Sequence, residues 1–338
     1  MKNKTQAWIS AARPRTLPLS ISGILVGSAY AYLDIAFAKA ELESAFGENV
    51  INIPVSSLYN ALFNWWIPVL ALLTTLGFQI LSNFANDYGD GVKGTDNHER
   101  IGPMRAIQSG IIQPAEMKRV IIITSILTFM CAIALIYVSL GLEQLVDSLL
   151  FLGLGIAAIW AAIKYTVGDN AYGYRGLGDV FVFIFFGPVS VIGIYYLITS
   201  ILSWQLILPS ISIGLLSVTV LNLNNMRDIK SDLKAGKNTI PVKLGLAKSK
   251  KLHYTYIISA LVAMTLFLLI QFTEAANLGI SFQWILFLPV LAFIPLIAHL
   301  FTVKKTASSV LLDPELKKVA LSTFLLALLS VISVLVIS

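Results

Sequence analysis

The sequence predicts an all-α, polytopic membrane protein with nine transmembrane helices, and three observations carry that prediction. The chain of 338 residues is 57% hydrophobic and only 12% charged, whereas soluble domains carry about a quarter charged residues. Nine apolar runs are long enough to approach the ~30 Å of a bilayer's hydrocarbon core. The basic residues then sort by side: with the N-terminus inside, 23 of the 24 Lys and Arg residues lie on the cytoplasmic face and Lys39 stands alone opposite. A missed or extra helix would scramble that alternation, so it supports both the count and an orientation with the N-terminus cytoplasmic and the C-terminus outside. The net charge of +6 is therefore a topological bias and not a nucleic-acid footprint.

The runs fall at about 17–38, 66–86, 119–140, 146–163, 179–199, 204–223, 253–272, 282–302 and 319–337. Before the first, "WISAARPRT" interrupts the basic N-terminus and no cleavage site follows, so the run reads as a retained helix. The connection at 39–65 carries Glu41, Glu43, Glu48 and "YNALFNWW", an interfacial segment anchored by Trp65 and Trp66. Run three contains Cys131, the sole cysteine, which excludes an internal disulfide and a thiolate metal site. Isolated glycines within the runs permit close helix approach. The second run ends in Asn86-x-x-x-Asp90 and the sixth in Asn224-x-x-x-Asp228, 138 residues apart and on the same side. A single domain over 1–338 built from two four-helix halves (about 14–163 and 179–302) plus a ninth helix accounts for this offset, and such halves often build a shared central site.

The polar clusters carry the chemistry. In "NFANDYGDGVKGTDN", Asn86 and Asp90 share a helical face, and Asn83, Asp87 and Asp90 form an overlapping stripe. In "NLNNMRDIKSDLKAGKNT", Asn224, Asp228 and Asp232 recur at four-residue steps. Aspartates at a helix end are often merely solvated. Their paired occurrence on one side, with Lys and Arg beside both, favours a site. Facing each other, two such clusters suit Mg²⁺, which takes hard oxygen ligands and shares them with substrate phosphates. The spacing of Asp87, Asp90 and Asp96 does not fit a calcium-binding EF-hand loop, and "GKNT" lacks the upstream glycine and strand of a nucleotide-binding loop.

Cations flank both clusters: Lys93, Arg100 and Arg105 after the first; Arg227, Lys230, Lys234 and Lys237 around the second. Carboxylates mixed with Lys and Arg point to a metal-bridged polyanion. A third patch, "KYTVGDNAYGYRGLGDVFVF", gathers Lys164, Tyr165, Tyr172, Tyr174, Arg175 and Asp179 among glycines. Tyrosines are ordinary belt residues at an interface, but their faces also stabilise cations. "RPRT" (Arg13, Arg15, Thr16) is balanced between membrane anchoring and binding. His98, His253 and His299 show no paired spacing.

At "NDYGDGVKGTDN" and "NNMRDIKSDLKAGKNT" the sequence resembles the UbiA-type membrane aromatic prenyltransferases, over nearly the whole chain. Within that family it is similar to the dihydroxynaphthoate-prenylating branch of menaquinone synthesis, in "AARPRTLPLSISGILVG", "NDYGDGVKGTD", "RIGPMRAIQSGIIQPAEMKR", "YGYRGLGDVFVFIFFGPVSVIG" and "NNMRDIKSDLKAGKNTIPVKLG". The resemblance implies a UbiA-like bundle in the cytoplasmic membrane. It also implies a polyprenyl diphosphate held through Mg²⁺ by Asn86, Asp90, Asp228 and Asp232, with Asp87 secondary. The family's first motif has an aspartate where Gly94 stands here, so the role of Asp96, two residues on, is open. Lys93, Arg105, Arg227, Lys237 and Lys164 are the expected diphosphate contacts. Asn224, Tyr165, Tyr172, Tyr174, Arg175, Arg13 and Arg15 are the expected acceptor and cation pocket. The implied acceptor is 1,4-dihydroxy-2-naphthoate, attacked at its carboxyl-bearing carbon with loss of CO₂. A sister acceptor such as 4-hydroxybenzoate is the nearest rival. A secondary transporter would place its polar groups near mid-membrane, whereas here they crowd one side.

Overall fold

In the computed structural model, residues 3–46, 63–95 and 104–338 are described. Among them the chain is all helical, with nine helical segments long and apolar enough to cross a membrane. A short α1 (Lys4–Ala12) is capped by Asn3, whose side chain accepts from the Gln6 N–H. Arg13, in left-handed backbone, turns the chain into a 3₁₀ turn at Pro14–Thr16. The spans follow as α2 (Leu17–Phe46), α3 (Trp66–Val92), α4 (Pro114–Leu140), α5 (Leu145–Lys164), α6 (Gly178–Thr199) and α7 (Ile207–Arg227). A short α8 (Ile229–Lys234) leads into α9 (Ile240–Asn277). The 3₁₀ stretch Gln283–Ala292 continues as α10 (Phe293–Lys305), and α11 (Asp313–Ile337) closes the bundle.

Helices dominate because every backbone N–H and C=O in lipid needs an internal partner. The helices overrun the apolar runs at the ends that carry the polar motifs: α3 extends six residues past 86, and α9 starts at Ile240, well before 253. This overrun lifts the polar motifs out of the hydrocarbon while keeping them on rigid helix. α7 is the most enclosed span and α5 the least. α7 packs against α6, α9 and α11; α3 packs against α2, α4 and α5. One large apolar cluster joins α2, α6, α7, α9, α10 and α11. A smaller one seats α1 and residues Ala106–Ile112 against α3 and α4.

Two local departures shape the interior. Pro188 lies within a π turn, Phe185–Val189, in the middle of α6. Proline cannot donate the usual helical bond, and a π turn accommodates the lost register. Gly27 of α2 approaches α6 so closely that a Cβ there would stand 2.3 Å from the Val191 carbonyl oxygen.

Candidate active site

A cavity of about 660 Å³ runs from the polar end of the bundle into its apolar interior. A small polar recess of about 30 Å³ shares its Asp90, Arg105, Asn224 and Lys237, and adds Thr95, Asp228, Ser231 and Asp232. The motifs expected to face each other across 138 residues of sequence do so.

α3 stays helical through Asn86 and Asp90, and both line the larger cavity. Asp90 is buried and accepts from the Tyr174 hydroxyl at 2.8 Å, and the Thr95 hydroxyl lies 2.7 Å from the Tyr174 hydroxyl oxygen. The Lys237 ammonium lies 4.0 Å from Asp90. Asp87 also lines the cavity, but its Oδ2 accepts the Ala106 N–H at 3.1 Å. That bond pins the strand of chain that carries Arg105 to the site. Asp96, His98, Arg100 and Glu48 lie outside the described residues.

The second motif differs from the continuous stripe expected. α7 ends at Arg227, Asp228 adopts non-helical backbone (φ −94°, ψ 9°), and α8 restarts beyond it. The break tilts Asp228 and Asp232 together into the small recess. Arg227, expected to meet diphosphate, lines the larger cavity and is buried, with its guanidinium clasped by protein. Its Nε donates to Asp228 Oδ1 at 2.8 Å, its Nη2 to Asp228 Oδ2 at 2.6 Å and to Asn224 Oδ1 at 2.8 Å, and its Nη1 to Asp313.

The loop between α5 and α6 is knitted to the loop after α7. The Asn238 N–H donates to the Tyr174 carbonyl at 2.9 Å, and Lys243 Nζ to the Arg175 carbonyl at 2.9 Å. This fixes Tyr174 over Asp90 and leaves the Arg175 side chain exposed, outside both cavities. Tyr165 and Tyr172 line the larger cavity beside Phe181, which stacks on Tyr172 at 4.0 Å between centroids. The Tyr172 hydroxyl is spent on the Ala161 carbonyl at 2.8 Å, so only its ring is offered. Lys93 donates to the Gly168 carbonyl at 2.8 Å and lies 4.2 Å from the Tyr174 ring centre. Lys164 is exposed and lines neither cavity. Arg13 and Arg15 both line the larger one.

Electrostatics follow from this placement. Burial opposes the Lys237 charge, but Asp90, followed by Tyr165 and Asp232, outweighs it and holds the ammonium above its ordinary range. Burial pushes the Tyr165 hydroxyl up to about 12, and burial together with Asp90 raises that of Tyr174, so both keep their protons. Lys93 is drawn down, chiefly by burial.

Sequence reading missed several neighbours of the site. Thr166 donates to the Ala85 carbonyl at 3.0 Å and lies 3.3 Å from Asn86 Oδ1. Gln79 and Lys317 line the cavity. Away from both cavities, His253 and His299, which show no paired spacing in sequence, face each other at 2.7 Å, and His299 also bonds Glu315. A single histidine on each of two helices leaves no spacing to detect.

Comparison with known proteins agrees with this architecture. Residues 57–311 match the sequence model of the UbiA prenyltransferase family. A protein of Escherichia coli (strain K12) named 1,4-dihydroxy-2-naphthoate octaprenyltransferase is 43% identical over 265 residues, covering 78% of this chain and 77% of that one. A Haemophilus influenzae protein of the same name is 45% identical over 253 residues, covering 75% and 74%. The solved structure of a UbiA homolog from Archaeoglobus fulgidus, bound to DMAPP and Mg²⁺, superposes with a TM-score of 0.61 over 98% of this chain and 99% of that one. At 14% identity that likeness concerns the fold. Nine apolar helices, two facing acidic motifs and a family match over three quarters of the sequence lead to one conclusion: this chain belongs to the UbiA prenyltransferase family.

Proposed function

We propose that this protein transfers a polyprenyl group from polyprenyl diphosphate to 1,4-dihydroxy-2-naphthoate, with loss of CO₂ and diphosphate, in menaquinone synthesis. The observation that carries the transfer is the composite cavity, with carboxylates and Lys237 at one end and an apolar, aromatic body behind them. The naphthoate acceptor is supported by the names of the relatives at 43% and 45% identity.

The donor set fits Mg²⁺. Asp90, Asp228 and Asp232, with the Asn224 and Asn86 amides beside them, are hard oxygen ligands around a recess that holds no histidine or thiolate. When bound there, Mg²⁺ would neutralise charge on the diphosphate oxygens. Lys237 and Arg105, which line both cavities, contact the diphosphate; Lys93 stands behind Tyr174 as an outer cation. The Tyr174 hydroxyl aims the Asp90 carboxylate.

The reaction breaks the prenyl C1–O bond, and the electron pair leaves with diphosphate. Lys237, charged and shielded from bulk water, stabilises that developing anion. The rings of Tyr165, Tyr172 and Phe181 present aromatic faces that stabilise the allylic cation. The carboxyl-bearing ring carbon bonds to C1, the carboxylate departs as CO₂, and its electron pair restores the ring. The product is the quinol form of demethylmenaquinone, and no net proton transfer is required. Arg13 and Arg15, at the cavity wall, are the side chains placed to hold the acceptor's carboxylate. The tail lies along Phe78, Leu135, Phe151 and Phe185.

The polar end faces the cytoplasm in the cytoplasmic membrane, on the strength of the Lys and Arg distribution. One membrane domain built from two repeated four-helix units plus a ninth helix would account for the 138-residue offset between the motifs.

Membranes containing the protein, given a polyprenyl diphosphate and either dihydroxynaphthoate or 4-hydroxybenzoate, test the reading. Prenylated product and CO₂ are expected from dihydroxynaphthoate only, and only with Mg²⁺. Product from 4-hydroxybenzoate alone overturns the acceptor; product from neither overturns the activity.

A further inference from the structure

We propose that Asp313, the first residue of α11, is a positioning residue for the second acidic motif: it holds the Arg227 guanidinium so that Asp228 remains available to a divalent cation. The inference rests on the reading of Asp228 as a cation ligand.

Arg227 is 2% exposed and engages both oxygens of Asp228, at 2.8 and 2.6 Å. A carboxylate clasped at both oxygens by a guanidinium is already neutralised, and the buried cation repels a second one. By itself the pair has no net charge and makes a poor cation ligand. Asp313 changes that balance. It takes the third guanidinium nitrogen, Nη1, and brings the group of Arg227, Asp228 and Asp313 to a net charge of −1. It also gives Arg227 a second seat. When a cation draws on an Asp228 oxygen, the guanidinium keeps a charged partner and need not be stripped of all its bonds.

Asp313 is suited to this by its own support. It occupies the N-terminus of a 25-residue helix, where the backbone dipole favours a negative charge. Two residues on, Glu315 accepts from Lys318 at 2.8 and 3.0 Å and bonds His299, which meets His253 of α9. The start of α11 is thus fastened to α9 and α10 independently of Arg227. Asp313 lines neither cavity, so it acts through Arg227 and not on substrate.

The test uses the full-length protein in detergent with farnesyl thiolodiphosphate, an unreactive donor analogue, and Mn²⁺ as the cation. The readout is the Mn²⁺ concentration giving half-maximal thermal stabilisation. Asp313→Asn and Asp313→Ser are expected to raise it by about tenfold or more, the usual cost of losing an outer partner of a metal ligand. Asp313→Glu restores it to near the original value. In turnover the same variants shift the Mg²⁺ requirement by a like factor while kcat at saturating Mg²⁺ changes little. Unchanged Mn²⁺ dependence in both neutral variants overturns the proposal, as does a fall in kcat with no shift in Mg²⁺ requirement. Asp228→Asn separates the two layers: if it too leaves Mn²⁺ stabilisation intact, the cation site itself is wrong.

Discussion

At the scale of single residues, Lys237 is the side chain on which the electrostatics converge. It is buried, 4.0 Å from Asp90, and borders both the large cavity and the acidic recess. Its carboxylate neighbours hold it charged, so it meets a leaving diphosphate as a cation without a proton having to arrive. Lys237→Met is expected to lower kcat by about 10²- to 10³-fold, the range for removing one preorganised group facing developing charge. Lys164→Met, at an exposed lysine that borders neither cavity, is expected to stay within about twofold. Parallel turnover measurements at saturating donor check both, and equal effects would remove the distinction drawn between these lysines. Sequence alone placed both among the diphosphate contacts, Lys237 as a cation beside the second acidic cluster and Lys164 as the basic residue of the glycine-tyrosine patch. It singled out Asp90, Asp228 and Lys237, which the fold brings to one recess, since charge crowded at the end of a greasy helix has few other uses. It did not reveal that Arg227 is committed to Asp313, 86 residues away, because a lone aspartate in a charged loop carries no mark of its partner.

At the scale of elements, close packing of α3 against the loop after α5 sets the position of the first motif. Gly89 lies between Asn86 and Asp90, and a Cβ there would stand 2.5 Å from Thr166 Oγ1 and 2.8 Å from the Thr166 carbonyl carbon. Overpacking of this kind costs about 1–3 kcal/mol. The helical preference of alanine over glycine returns at most about 1 kcal/mol, so the clash wins. Gly89→Ala is therefore expected to lower the thermal midpoint and, by displacing α3 beside Asp90, the activity. Gly153→Ala, where nothing lies within 4 Å, should leave the activity unchanged and the midpoint level or slightly raised. A Gly89→Ala protein with the original midpoint and rate would show that this contact positions nothing. The nine spans were readable from hydropathy because lipid imposes one rule on all of them. Their polar ends were not: nothing apolar marks the continuation of α3 to Val92, and the break at Asp228 arises from tertiary packing that no local pattern encodes.

At the scale of the whole molecule, every polar group assigned to chemistry lies at one end of the bundle, and the orientation decides which compartment supplies the reactants. Asp90 meets Tyr174 and Lys237, Lys93 meets the Gly168 carbonyl, and Arg227 meets Asp313, so four connections converge on one face. The alternation of spans in the sequence assigns 23 of the 24 Lys and Arg residues to connections on that same side. Basic residues near span ends resist translocation and are drawn to the anionic inner leaflet, at about 1 kcal/mol each close to the surface. An inverted chain would forgo that for nearly all of them, and it would turn its diphosphate end away from the cytoplasm. The arrangement is tested by cysteine labelling in a Cys131→Ser background. Leu142→Cys sits in the exposed turn between α4 and α5, and Lys234→Cys is exposed at the polar end. In intact cells a membrane-impermeant maleimide should modify the first and spare the second, which becomes reactive only once the membrane is opened. The reverse pattern would place the acidic recess outside the cell. Charged, water-soluble donor headgroups and naphthoate made in the cytoplasm would then have no route to Asp90 or Asp228, and the proposed activity would fail with the orientation.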